Sequence, residues 1–265
     1  MRRRAVGSGL IVVAGAIFLL GPLVATFFAS IDFNRLGYRF TAYRSLFTRA
    51  DLRGPLWLSL QIALLTTALG LVLMLPTVFW LHLKVPRARP LLETVSIMPY
   101  VISPIILVVG IAQLTRSWPE WLVARPFFLV PIYTVTCLSF LFRSIDAGMQ
   151  TLDPRTLTEA ARNCGASWSA VLRLVVLPNL RTAILGAMFL SIAVVLGEFT
   201  IASLLLFKTF PVFLAQVGQS EAQGAAALSL LAFVASWIVL LVFNAVANRL
   251  RVRVTTRAKA ALGAP

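Results

Sequence analysis

Residues 56–82 read LWLSLQIALLTTALGLVLMLPTVFWLH, with no Asp, Glu, Lys or Arg among them. A helix needs about 20 consecutive, mostly apolar residues to cross roughly 30 Å of hydrocarbon, so this stretch is long enough to span a membrane. Working outward from it, similar apolar blocks lie at about 8–30, 94–115, 126–143, 182–206 and 226–248. The chain of 265 residues is 59% hydrophobic and 12% charged, and its mean hydropathy is +0.90. Soluble domains carry about twice that share of charge. The expected fold class is all-α: a polytopic membrane protein with about six transmembrane helices in one domain, 1–265. Its core covers about 56–248, behind an N-terminal span at 8–30.

The net charge of +15 does not point to nucleic acid, because the basic residues fall mostly in the short segments between apolar blocks. That is the distribution membrane topology produces. With the N-terminus in the cytoplasm, 16 Lys and Arg lie on the inner side and 8 on the outer, so both termini are expected to be cytoplasmic. Arg35, Arg39, Arg44, Arg49 and Arg53 run against this pattern in the outer loop 31–55, which is expected to pack on a partner. After Met1-Arg2-Arg3-Arg4 the apolar run exceeds 20 residues. That is longer than a signal-peptide core, so an uncleaved first span is expected. Cys137 lies in an apolar block and Cys164 in a polar loop, so no disulfide is expected, and nothing resembles a metal-ligand cluster. The single histidine, His82, reads as an interfacial ring at a span end, and Asp146 as an interfacial acid just past the fourth block. One histidine and nine scattered acids give no catalytic constellation, so no enzyme is expected.

The inner segment 144–181 reads as a helix–turn–helix. Asp153-Pro154 supplies a cap and a first-turn proline, and Leu157, Ala160, Ala161 and Cys164 follow at helical spacing. Gly165 suits a left-handed stop. Ser167 then caps a second helix whose stripe is Trp168, Val171, Leu172, Val175 and Val176, and Pro178 is expected to end it. Small residues on the first helix permit close approach of another surface. Periodicity alone leaves two readings open: a docking element for a cytoplasmic partner, or an amphipathic pair lying on lipid.

Residues 159–178 read EAARNCGASWSAVLRLVVLP. This resembles the EAA motif of permeases in binding-protein-dependent ABC importers, with Glu159, Ala160, Ala161, Gly165, Leu177 and Pro178 matching and Val175 at the motif's isoleucine position. The resemblance implies a type I, MetI-like helical fold and a coupling helix that sits in a groove of a cytoplasmic ATPase dimer. It also implies a second, homologous permease, an extracytoplasmic solute-binding protein and a prokaryotic plasma (inner) membrane location. No cofactor is expected on this chain: it lacks a Gly-x-x-x-x-Gly-Lys-Ser/Thr loop, so ATP would be bound by the partner subunit.

Residues 32–47, DFNRLGYRFTAYRSLF, resemble the first outer loop of the polyamine (spermidine/putrescine)-type branch. Gly197-Glu198-Phe199 resembles permeases for polyamines, iron(III), phosphonates and other oxyanions. Glu198 is an ionisable group inside an apolar block, at an insertion cost of about 2.5–3.5 kcal/mol. It either lines the translocation path or is a carboxyl bonded between helices. Pro99 and Pro104 predict a kink in the third block that either lines the path or serves packing. A secondary transporter is the competing class, but the halves show no similar patterns of the kind inverted repeats leave.

Overall fold

The structure is a computed structural model that describes residues 2–34, 37–39, 43 and 50–261. Arg35, Arg44 and Arg49 of the arginine-rich loop, and much of the stretch 32–47, lie outside them. The chain forms two compact units, one of residues 1–55 with 212–241 and the other of 56–211 with 242–265.

In the first unit, helix α1 (Arg2–Ser30) carries an apolar window at Val13–Ser30. Its side chains there are mostly exposed, as for a helix that faces hydrocarbon. Ser30 Oγ lies 2.8 Å from the Tyr43 hydroxyl. A small hairpin follows, Asp32–Asn34 antiparallel to Gly37–Arg39, a minor β element in an otherwise helical chain.

The second unit contains α2 (Arg53–Lys84), α3 (Arg89–Val101), α4 (Pro104–Leu114), α5 (Leu129–Thr151) and α6 (Pro154–Asn163). A continuous helical run, α7 (Trp168–Gly197), and the short α8 (Thr200–Leu204) complete it. Beyond them lie α9 (Phe210–Ser220) and α10 (Ala222–Ala261). Among the described residues five helices are long and apolar enough to cross a membrane, or six if the bent pair Pro86–Val101 and Pro104–Leu114 counts as one span. This agrees with the all-α polytopic fold and the six blocks.

Three boundaries differ from the expected ones. The third block is interrupted, not merely kinked: α3 and α4 meet at 94°, with Ile102 and Ser103 extended. Pro104 opens α4, where its missing N–H is harmless, while Pro99 sits within α3. The fifth span starts near Trp168 and stops at Gly197, so the expected block 182–206 combines one span's end with a separate short helix. The last block, expected to end near 248, runs on through the basic tail as α10 to Ala261.

The core centres on α5, whose Leu129, Tyr133, Cys137, Leu141, Phe142, Ile145 and Met149 are all buried. Apolar faces gain little from leaving lipid, so membrane helices associate through close packing and interhelical hydrogen bonds. Both occur here. A Cβ on Gly70 of α2 would run into Leu141. One on Gly148 of α5 would collide with the Cβ of Ala183 in α7 and lie 3.0 Å from Leu180 Cδ2. Ser144 Oγ donates 2.8 Å to the Ala183 carbonyl, and Thr67 of α2 bonds Ser191 of α7 at 3.1 Å. Ser144 and Gly148 on α5, with Ala183 and Ala187 on α7, are small residues at four-residue spacing.

Gly148→Val should therefore destabilise the protein by about 2 kcal/mol through overpacking against α7. Thermal unfolding in detergent, read by circular dichroism, measures it. Gly54→Val, where an added Cβ meets nothing within 4 Å, should leave the midpoint nearly unchanged.

Candidate coupling surface and path

The 153–178 segment begins as expected. Asp153 caps α6: its carboxylate accepts the Thr156 hydroxyl at 2.6 Å and the Thr156 N–H at 3.3 Å. Those bonds, the hydroxyl's first, hold the Asp153 carboxyl below the usual carboxylate range. A carboxyl lowered on folding stabilises above the ordinary range and loses that contribution as pH falls through its folded value. At the other end Gly165 adopts φ +81°. Gly165 N–H donates to the Arg162 carbonyl and Ala166 N–H to Ala161, the paired bonds of a Schellman stop.

α6 buries Pro154 and Thr158 and half-buries Leu157 and Ala161. It exposes Glu159, Ala160 and Asn163, with Cys164 and Gly165 beyond its end. The expected stripe is thus divided: Leu157 and Ala161 pack inward, Ala160 and Cys164 face out. The outward side combines small residues at Ala160, Cys164 and Gly165 with the polar Arg155, Thr156, Glu159, Arg162 and Asn163.

Pro178 does not end the second helix. Proline lacks an N–H and its ring crowds the carbonyl four residues back, here Leu174. The chain absorbs this by widening: Val171–Val176 is a π-helical segment in which Leu177 N–H reaches the Leu172 carbonyl. The Asn179 side chain bonds the Val175 carbonyl at 2.8 Å. Helix continuity therefore survives, and the motif's end, half-buried Leu177 and exposed Pro178, lies inside α7. The second half of the EAA-like segment, from Trp168, runs into the fifth span without a break.

Two clusters seat this segment on the bundle. In the first, Trp168 packs against Trp80 of α2 with ring centroids 5.0 Å apart and the rings tilted by 42°. Arg162 lies 5.0 Å from the Trp168 ring, and Lys84 lies 5.0 Å from Trp80 and 5.8 Å from Trp168, cation–π geometry throughout. In the second, Asp146 is not a plain interfacial acid. It is 4% exposed and accepts from Arg89 Nη2 at 2.7 Å, Arg89 Nε at 3.1 Å and Gln150 Nε2 at 2.7 Å. His82 Nε2 lies 2.8 Å from its Oδ1. A carboxylate only accepts, so that nitrogen carries the proton. His82 is thus part of a buried polar junction joining α2, α3 and α5, and Arg155 of α6 reaches its carbonyl at 3.4 Å. Neither cluster was legible in the sequence, since Asp146 lies more than 50 residues from His82 and Arg89.

Glu198 sits at the break between α7 and α8, half-buried. Its carboxylate accepts the Tyr133 hydroxyl at 2.7 Å, Ile201 N–H at 2.8 Å and Ala202 N–H at 3.3 Å, tying α5 to the first turn of α8. Short α8 packs against α4, so the helices that follow the two breaks, at 102–103 and 198–199, meet each other. Leu206 closes α8 at φ +61° and is 90% exposed, an uncommon place for leucine.

Comparison with known proteins places this arrangement. Residues 83–259 match the family described as binding-protein-dependent transport system inner membrane component. A relative in Sinorhizobium fredii (strain NBRC 101917 / NGR234), "Probable ABC transporter permease protein y4fN", is 30% identical over 211 residues, 72% of this chain. The chain spans 36% of that relative's length. The fold is shared with a bacterial alginate ABC transporter solved with a pentasaccharide-bound periplasmic protein, at TM-score 0.68 and 18% identity over 96% of both chains. It is also shared with an amino acid ABC transporter solved with histidines, at TM-score 0.52 and 18% identity over 76% of this chain and 93% of the other. The chain belongs to the family of binding-protein-dependent transport system inner membrane components. It is a multi-pass membrane protein of a transport family, not of an enzyme class.

Asp146→Asn should cost about 2–3 kcal/mol, since it leaves Arg89 without its counter-charge and sets an amide N–H₂ against donors. The partly exposed Arg89 keeps the figure at the lower end of buried-pair losses. Unfolding in detergent measures it against Glu93→Gln, whose exposed pair with Arg143 at 3.7 Å should contribute under about 0.5 kcal/mol.

Proposed function

We propose that the chain is the transmembrane permease subunit of an ATP-driven ABC importer in a prokaryotic inner membrane, with both termini cytoplasmic. It forms one half of the translocation path beside a second, homologous permease. The observation that carries this reading is the outward face of α6 beside the positive-φ Gly165: a small-residue surface, held rigidly on the bundle by Trp168 and joined through α7 to a span. Glu159, Ala160, Ala161 and Gly165 form the docking element for a cytoplasmic ATPase dimer, which binds the ATP. Leu177 and Pro178 mark where the motif enters the span. A solute-binding protein delivers substrate to the opposite face.

The path runs by the two breaks. Irregular backbone at membrane depth is tolerated where it lines a cavity or is buried in protein. The contact of α4 with α8 brings the segments after Pro99–Pro104 and Glu198 together. The substrate is a small polar solute, and the likeness of residues 32–47 to the polyamine branch supports a polyamine. The five arginines of the loop 31–55 support a second reading, an iron(III), phosphonate or other oxyanion solute. Ligand-binding assays on the cognate binding protein separate the two.

In proteoliposomes with the ATPase, Gly165→Val and Ala160→Trp should leave insertion intact and lower uptake at least tenfold. In the first, β-branching strains the left-handed turn, by about 1–2 kcal/mol; in the second, a bulky group holds the docking surfaces apart. Normal uptake by both variants would remove the docking assignment. Glu198→Gln, measured across pH, should lower uptake severalfold. Full uptake at every pH would exclude a required charge on the path.

A further inference from the structure

We infer that the groove between the end of α2 and the start of α3 binds one acyl chain of an anionic phospholipid, with its phosphate at Lys84. The groove encloses about 500 Å³, lined by apolar side chains that include Leu81, Val85, Leu91, Leu92 and Val95. That is the size of an ordinary ligand pocket. Among its lining residues Lys84 alone is charged, and it stands where the Arg53–Lys84 span ends.

Three observations select an anionic lipid over another occupant. The groove's apolar wall is continuous with side chains that face outward on both helices: on α3 Leu91 is 67% exposed and Val95 48%, and on α2 Trp80 is 37%. Trp80 and Trp168 sit beside it, as aromatic side chains do at the hydrocarbon boundary. Its rim is cationic. Lys84 lies against Trp80, Arg162 against Trp168, and Arg87 occupies the turn Pro86–Ala88 between lining residues Val85 and Ala88. Among the described residues no carboxylate pairs with Lys84, and a phosphodiester would complete that rim. A lipid held there touches Trp80, the ring against which Trp168 seats the α6–α7 turn.

The test places the photoreactive p-benzoylphenylalanine at Leu91 of the full chain, in vesicles of equal phosphatidylglycerol and phosphatidylcholine. Mass spectrometry then reads the headgroups of the adducts. The ratio of phosphatidylglycerol to phosphatidylcholine among the adducts should be about fivefold above the bulk ratio of one. Lys84→Ala should return the ratio to bulk, and Arg116→Ala, outside the groove, should keep the enrichment. Repeating the measurement with the probe at Val95 guards against a local effect of the label, and an unchanged gel-filtration profile shows that each variant is folded. A bulk ratio at both positions, enrichment that survives Lys84→Ala, or adducts to a second polypeptide in place of lipid would each overturn the proposal.

Discussion

A carboxylate buried where helices meet must find its solvation in the protein around it. Asp146 meets that demand by drawing donors from three separate stretches of chain: His82 at the end of α2, Arg89 at the start of α3 and Gln150 one turn along α5. Apolar packing in lipid is nearly indifferent to which helices meet, so such directional bonds select the arrangement. Once this junction forms, the end of α2 is fixed, and with it Trp80, Lys84 and the surface on which the α6–α7 turn rests.

The rest of the second unit elaborates that junction. α5 and α7 approach closely because Gly148 and Ala183 leave no side chain between them. The Ser144 bond to the Ala183 carbonyl then sets their register. α7 carries the EAA-like segment directly into the bundle. A proline that would break an ordinary helix is accommodated by the π segment before it. The motif's second half is therefore one piece with a span, and α6 is joined to it through the turn at Gly165. At the far end of α7 the chain breaks at Glu198, whose carboxylate caps α8 and holds it to Tyr133. The same group was readable from the sequence as either a path-lining charge or a bonded carboxyl. The bonds to it are plain, and its part in transport rests on the uptake assay.

The sequence by itself determined the number of apolar blocks and the place of most spans, because length and hydropathy of a segment in lipid are local properties; it misplaced the fifth, which runs Trp168–Gly197. It also determined the helix–turn–helix of 153–176, since Asp153, Pro154, Gly165 and Ser167 act on their immediate neighbours through caps and backbone conformation. The EAA-like spacing carried the family. Tertiary structure alone decided the burial of Asp146, the packing of Trp168 against Trp80 and the meeting of α4 with α8, since each joins residues far apart in the chain. It also decided that Pro99 and Pro104 accompany a 94° break and that Pro178 lies inside a helix. A proline's local signal is the same in both cases, and the outcome depends on whether neighbouring groups satisfy the carbonyls it leaves free.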